Sequence, residues 1–103
     1  MSVERLVLVR RGGMLWGVAH SAVRTVRRAE APHGEYLLSV GRSGGQELAA
    51  DEVVGVVDGL AIHPAGGVMS RFWSEPAGGL AVHGETPLVV VDPERLPSLL
   101  RPS

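Results

Sequence analysis

The residue most suggestive of chemistry is Ser43, in Gly41-Arg42-Ser43-Gly44-Gly45. Gly-x-Ser-x-Gly is the string of a nucleophile elbow, here after an apolar stretch and before Asp and His residues in usable order. An elbow needs a wide parallel sheet with helices on both faces, and 103 residues are too few to build one. A glycine-rich hairpin loop yields the same string without catalysis. The same glycines do not make a phosphate cradle, because a P-loop needs a lysine and the chain has none. His20, His33, His63 and His83 form no His-x-His, His-x-x-x-His or His-x-x-Glu pair, so no metal site is expected. Asp51 and Glu52 are adjacent acids, but neighbours on a strand point to opposite faces and do not cooperate as acid and base. The expectation is no enzyme, no cofactor and no metal.

The basic residues point in another direction. Arg24, Arg27 and Arg28 cluster where phosphates could be met. Trp16 is the only aromatic residue in that part of the chain, too few for a stacking platform, and no helix-turn-helix or zinc finger can be drawn. A small nucleic-acid-binding β-barrel using this cluster is therefore the runner-up reading. Residues 1–28 hold six Arg against one acid, and residues 29–103 hold four Arg against ten acids. Such asymmetry steers a protein to an acidic partner surface, or else marks an ordinary solvated face.

At 45% hydrophobic and 20% charged, the chain is globular and holds one compact unit or two very small ones sharing a core. It has no cysteine, which removes disulfides and thiolate chemistry together. The apolar run Leu6–Val9 is too short for a signal peptide and leads straight into Arg10-Arg11. No stretch approaches the roughly 20 apolar residues of a membrane span, so a cytoplasmic protein without membrane insertion is expected.

The elements that must position these residues read as β-strands: short, valine-rich and broken by glycine. Arg5–Arg10 and Met14–Ala19 flank a Gly12-Gly13 turn, and Tyr36–Val40 and Gln46–Ala50 flank a longer loop. Gly79–His83 and Thr86–Val91 flank Gly84-Glu85, where glycine in first place suits a type II′ turn. Val53–Val57 is a further strand, and residues 63–78 read as a long loop anchored by Phe72-Trp73. Asp92 as cap, Pro93 in the first turn and Leu96, Leu99 and Leu100 on one face predict a short helix over 92–101. A weak repeat runs through this pattern. Strand, glycine pair and strand are followed by Val23-x-x-Val26 in one unit and by Val53-x-x-Val56 in the next, which implies two similar β-units side by side.

Three segments, in order, carry a resemblance to a known family. Trp16-Gly-Val-Ala-His-Ser-Ala-Val-Arg-Thr-Val26, preceded by the first hairpin, resembles the opening of CheW-type coupling proteins. The stretch from Leu37 to Asp58 resembles that family's second-subdomain hairpin and its Val-Asp-x-Val-x-x-Val motif, here Ala50-Asp51-Glu52-Val53-Val54-Gly55-Val56. The stretch from Gly78 to Leu96 is similar to its closing hairpin. The chain departs from the pattern in lacking the central segment between Val26 and Tyr36, and in carrying Thr25 and Ala50 where the family has an acid and a valine.

The resemblance implies a mainly β fold: two small packed β-barrel-like subdomains, the first truncated, and a short C-terminal helix. Residues 1–103 form a single domain, in which 1–28 with parts of the C-terminus make the reduced first subdomain, 35–91 the second, and 92–101 the helix. It implies a non-catalytic adaptor of a bacterial chemosensory pathway that takes the helical tip of a methyl-accepting chemoreceptor into an apolar groove. Val23, Val26, Val53 and Val56 would line this groove, with Arg24, Thr25 and Asp51 at its rim. Loss of the central segment resembles the shortening of divergent CheW-like proteins in myxobacterial chemosensory systems, and implies that direct coupling to the CheA-type histidine kinase is weakened or lost. Other CheW-like proteins and a second copy of the chain stay open as partners.

Overall fold

A computed structural model of the chain describes residues 2–28, 35–63 and 79–102. The protein is mainly β. Strands β1 (Ser2–Arg11) and β2 (Met14–Ala19) form the first hairpin, with Arg11 opposite Met14. Gly12 and Gly13 both have positive φ (62° and 77°), the backbone of a type I′ turn whose twist matches that of the strands. β4 (Tyr36–Val40) and β5 (Gln46–Ala50) form the second hairpin, and β7 (Gly79–His83) and β8 (Thr86–Val90) the third. In the third, Gly84 has φ 64° and no described non-glycine residue has positive φ, so Glu85 completes the expected II′ pattern.

The remaining strands decide the architecture. β3 (Val23–Arg28) leaves β2 through a single 3-10 turn and pairs with β4, whereas β6 (Glu52–Ile62) leaves β5 after Asp51 and pairs with β1. Each β-β-β unit thus lends its third strand to the other. The result is a five-stranded sheet in the order β6-β1-β2-β8-β7 and a three-stranded sheet in the order β3-β4-β5. The sheets do not follow chain order. β1 and β2 lie with β6, β7 and β8, while β3 lies with β4 and β5.

The exchange is matched residue by residue. Along β3, Val23, Thr25 and Val26 stand opposite Val40, Ser39 and Leu38, with a bulge at Arg24. Along β6, Val53, Gly55 and Val56 stand opposite Val9, Leu8 and Val7, with a bulge at Val54. The weak sequence repeat is therefore a structural repeat, including its irregularities. A bulge sharpens local twist, which is what a strand turning from one sheet into another requires.

Two cores follow. Val7, Val9, Trp16 and Val18 from one unit meet Leu38, Val40, Leu48 and Ala50 from the other between the sheets. Leu6, Leu8, Leu15, Ile62, Ala81, Leu88 and Val90 fill the inside of the larger sheet. This sheet curls until His63, just past β6, bridges Leu80 of β7, with both backbone N–H···O bonds at 2.8 Å. Because β1 has a core on each side, Leu6, Val7, Leu8 and Val9 are all buried, which explains an apolar run without alternation.

The helix expected over 92–101 does not form. Asp92 bridges Arg95 around a turn in which the Asp92 carboxylate accepts the N–H of Glu94 at 2.9 Å, and only Ser98–Leu100 make a 3-10 turn. Pro97 has no N–H and disfavours α geometry at Leu96, so a longer helix cannot propagate. Leu96 and Leu100 still enter the core between the sheets, while Leu99 stays 44% exposed. The expected anchor Phe72-Trp73 lies outside the described residues, as does most of the 63–78 loop. His63 itself is at the bridge.

Candidate functional site

The residues singled out for an apolar groove divide in two. Val23 and Val53, at equivalent places in the two units, are half-buried and pack against the core between the sheets. Val26 and Val56, three residues further along each strand, are 50% and 54% exposed. They sit opposite Leu38 and Val7, both interlayer residues, so each faces the intersheet side but at its rim. Val26 and Val56 lie on different sheets that share no ladder. The structure thus brings Val23 and Val53 to one core and leaves Val26 and Val56 as apolar side chains in water.

The polar members are bound into the fold. Asp51 accepts the Gly12 N–H at 3.0 Å and an Arg11 N–H at 3.2 Å, pinning the first hairpin turn to the β5–β6 corner. Arg11 also faces Glu35 at 3.5 Å and donates to the Leu99 carbonyl at 3.0 Å, so one guanidinium joins four segments of the chain. Arg24, the bulged residue of β3, donates to the carbonyls of Gly41 at 3.1 Å and Arg42 at 3.0 Å, tying the β4–β5 loop down. Thr25 is exposed.

The remaining arginines of the basic cluster also have partners. Arg27 pairs with Glu47 at 3.2 Å and Arg28 lies over the Tyr36 ring, 5.8 Å from its centroid. Both interactions are on the surface and weak enough to be exchanged.

Ser43 sits in the loop of an antiparallel hairpin, with β5 rather than a helix after it. The strand-to-helix turn that raises a nucleophile is not what surrounds it. Glu94 closes this loop from outside, accepting the Arg42 N–H at 2.9 Å, and Gly41 leaves the room it needs: a Cβ there would lie 2.8 Å from the Glu94 carboxylate. His20 lines an open polar cleft with Glu4, Arg5, Ser21 and Asp58. In it Arg5 is hydrogen-bonded to Asp58, and that bond together with the carboxylate charge raises the guanidinium above its ordinary pKa. Among the described residues no group of His, Asp and Glu gathers as a metal site would require. His33 lies outside the described residues.

One feature of the surface was missed by sequence reading. β2 and β8 pair in parallel only at Trp16–Val89 and Gly17–Val90, then splay into an open apolar furrow lined by Met14, Leu15, Leu80, Pro87, Leu88 and Val89. His83–Thr86 is the hydrogen-bonded pair next to the two-residue turn, so alternation turns the Pro87 nitrogen toward β2, where it has no hydrogen to donate. Leu80 and Val82 continue the apolar surface on the outside of β7, exposed by 38% and 55%. The signal available in the sequence was Pro87 inside a strand, which argues for an incomplete ladder.

Among known proteins, no family model matches this chain and no curated protein is a significant match. No helix among the described residues is long and apolar enough to cross a membrane.

Proposed function

We propose that the chain is a non-catalytic, cytoplasmic adaptor of a bacterial chemosensory pathway. Its two packed β-units are a CheW-like arrangement with a reduced first subdomain, and they bind the helical signalling tip of a methyl-accepting chemoreceptor. The observation that carries this reading is the pair Val26 and Val56, kept half in water at equivalent places on the exchanged strands. A branched aliphatic side chain held at the rim of a core gains by being covered, and an amphipathic helix covers such a rim with residues at i, i+3 and i+4. Thr25, the preceding residue on β3, faces the other side of the sheet and is not part of this contact. Of the arginines of the runner-up nucleic-acid reading, Arg24 is tied to the carbonyls of Gly41 and Arg42, and no separate observation favours that reading.

With the family's central segment absent, the chain is read as binding the receptor without coupling directly to the histidine kinase. Calorimetry against a soluble receptor tip and, separately, against the kinase regulatory domain tests both halves. Binding to the tip should be weakened at least about tenfold by Val26→Glu or Val56→Glu, and should change little with added salt because the contact is apolar. Firm binding to the kinase domain with none to the receptor would reverse the assignment. Binding to oligonucleotides that falls steeply with ionic strength would replace it with the runner-up.

A further inference from the structure

The two exchanged strands also end their sheets, and their edges differ in sign. Among the described residues β3 pairs only with β4, and β6 only with β1 until the bridge after its end, so each has one side without a strand partner. β3 carries Arg24, Arg27 and Arg28 and no acid, whereas β6 carries Glu52 and Asp58 and no base. Both edges present valines to water: Val26 on β3, and Val54 (44% exposed) and Val56 on β6. An edge strand of this kind is a template for another strand unless something discourages it.

We propose that the basic β3 edge and the acidic β6 edge are the two halves of a head-to-tail interface between copies of this chain. The charges choose the pairing. β3 against β3 opposes arginines, and β6 against β6 opposes carboxylates, while β3 against β6 brings unlike charges and valines together. Both complementary halves are on one chain, and its formal net charge of −1 sets no general repulsion between copies. The internal pairs Arg27–Glu47 and Arg10–Glu52, at 3.2 and 3.8 Å, and the pair Arg5–Asp58 join side chains that are 44% to 70% exposed, so exchanging those partners for ones on a second copy costs little. Docking supplies main-chain partners along the open sides of both strands, and the contact is heterologous, leaving one free edge of each kind on the dimer.

The interface covers Val26 and Val56 and so competes with receptor binding; its test is run without receptor and leaves the valines in place. Sedimentation equilibrium of the full chain at about 50 mM and about 500 mM salt should show concentration-dependent self-association that weakens with salt. The double variants Arg27→Glu/Arg28→Glu and Glu52→Arg/Asp58→Arg should each self-associate at least about tenfold more weakly, since like charges then meet. An equimolar mixture of the two should restore a one-to-one complex, because the reversed edges are again complementary. Circular dichroism and urea unfolding confirm that each variant is folded. A wild-type chain that stays monomeric at both salt concentrations overturns the proposal and leaves these edges to a different protein's strand. So does a mixture that fails to associate, or association weakened by only one of the two reversals, which would indicate a like-with-like dimer.

Discussion

β3 and β6 occupy the same place in their respective units and do different things with it. Both leave a hairpin, half-bury a valine against the core, bulge at the next residue and expose the valine two residues beyond the bulge. At the bulge, β3 places Arg24, whose guanidinium holds two carbonyls of the neighbouring loop, and β6 places Val54, which is left partly in water. β6 runs on through Gly59 to Ile62 and helps to fill a second core, in which no described residue of β3 takes part. The scaffold needs only the spacing of the valines. What lies between and beyond them is free to specialise.

Shared dependence on the core between the sheets gives the largest expected effects. Trp16 and Leu48 are its equivalent fully buried residues, one from each unit. Trp16→Ala should lower stability by about 3–5 kcal/mol and Leu48→Ala by about 2–5 kcal/mol in urea titrations. Both should leave one cooperative transition, because neither sheet has that core to itself. Two separated transitions in either variant would break the comparison at its root.

Smaller effects should distinguish the units. A Cβ at Gly17 would lie 2.9 Å from Leu88 and 3.1 Å from Leu6, inside the larger sheet that only the first unit lines with β1 and β2. Gly17→Ala should therefore cost about 1–3 kcal/mol by overpacking, with the loss visible as a lower urea midpoint. At the bulges, Arg24→Ala should cost about 0.5–1.5 kcal/mol for its hydrogen bonds, against less than about 0.5 kcal/mol for Val54→Ala. Equal costs would mean that the Arg24 clamp contributes nothing. Val26→Thr and Val56→Thr should be the mildest, each within about 0.5 kcal/mol, since threonine keeps the branched strand geometry at a half-exposed position. A larger loss at either would show that the side chain belongs to the core and not to a contact surface.

The turns were legible because their chemistry is local. Gly12-Gly13 and Gly84-Glu85 specify their hairpins through φ signs that other residues avoid, and the hairpins stand where those glycines put them. The valine spacing at 23/26 and 53/56 was legible for the same reason, as a pattern repeated within the chain. The C-terminal leucines show the opposite outcome. Their spacing suited a helix, but Asp92 turned toward Arg95, Pro97 interrupted the backbone, and Leu96 and Leu100 reached the same apolar core along an irregular path. Burial rewards where an apolar side chain ends, not which backbone carries it there. The furrow beside Pro87 was legible only as a proline within a strand; which distant strand would fail to pair there was not, because that depends on two segments far apart in sequence.

By itself the sequence determined the strand class, the positions of the tight turns and the apolar residues that must leave water. It did so because turn geometry and alternation are properties of a few neighbouring residues. Which hairpin receives each third strand, and therefore which valines close the core and which stand at an edge, was decided only in three dimensions. β3 and β6 would satisfy their backbone groups against either hairpin. Their choice depends on Trp16, Leu38 and Leu48 filling one volume together, a condition met by residues far apart along the chain.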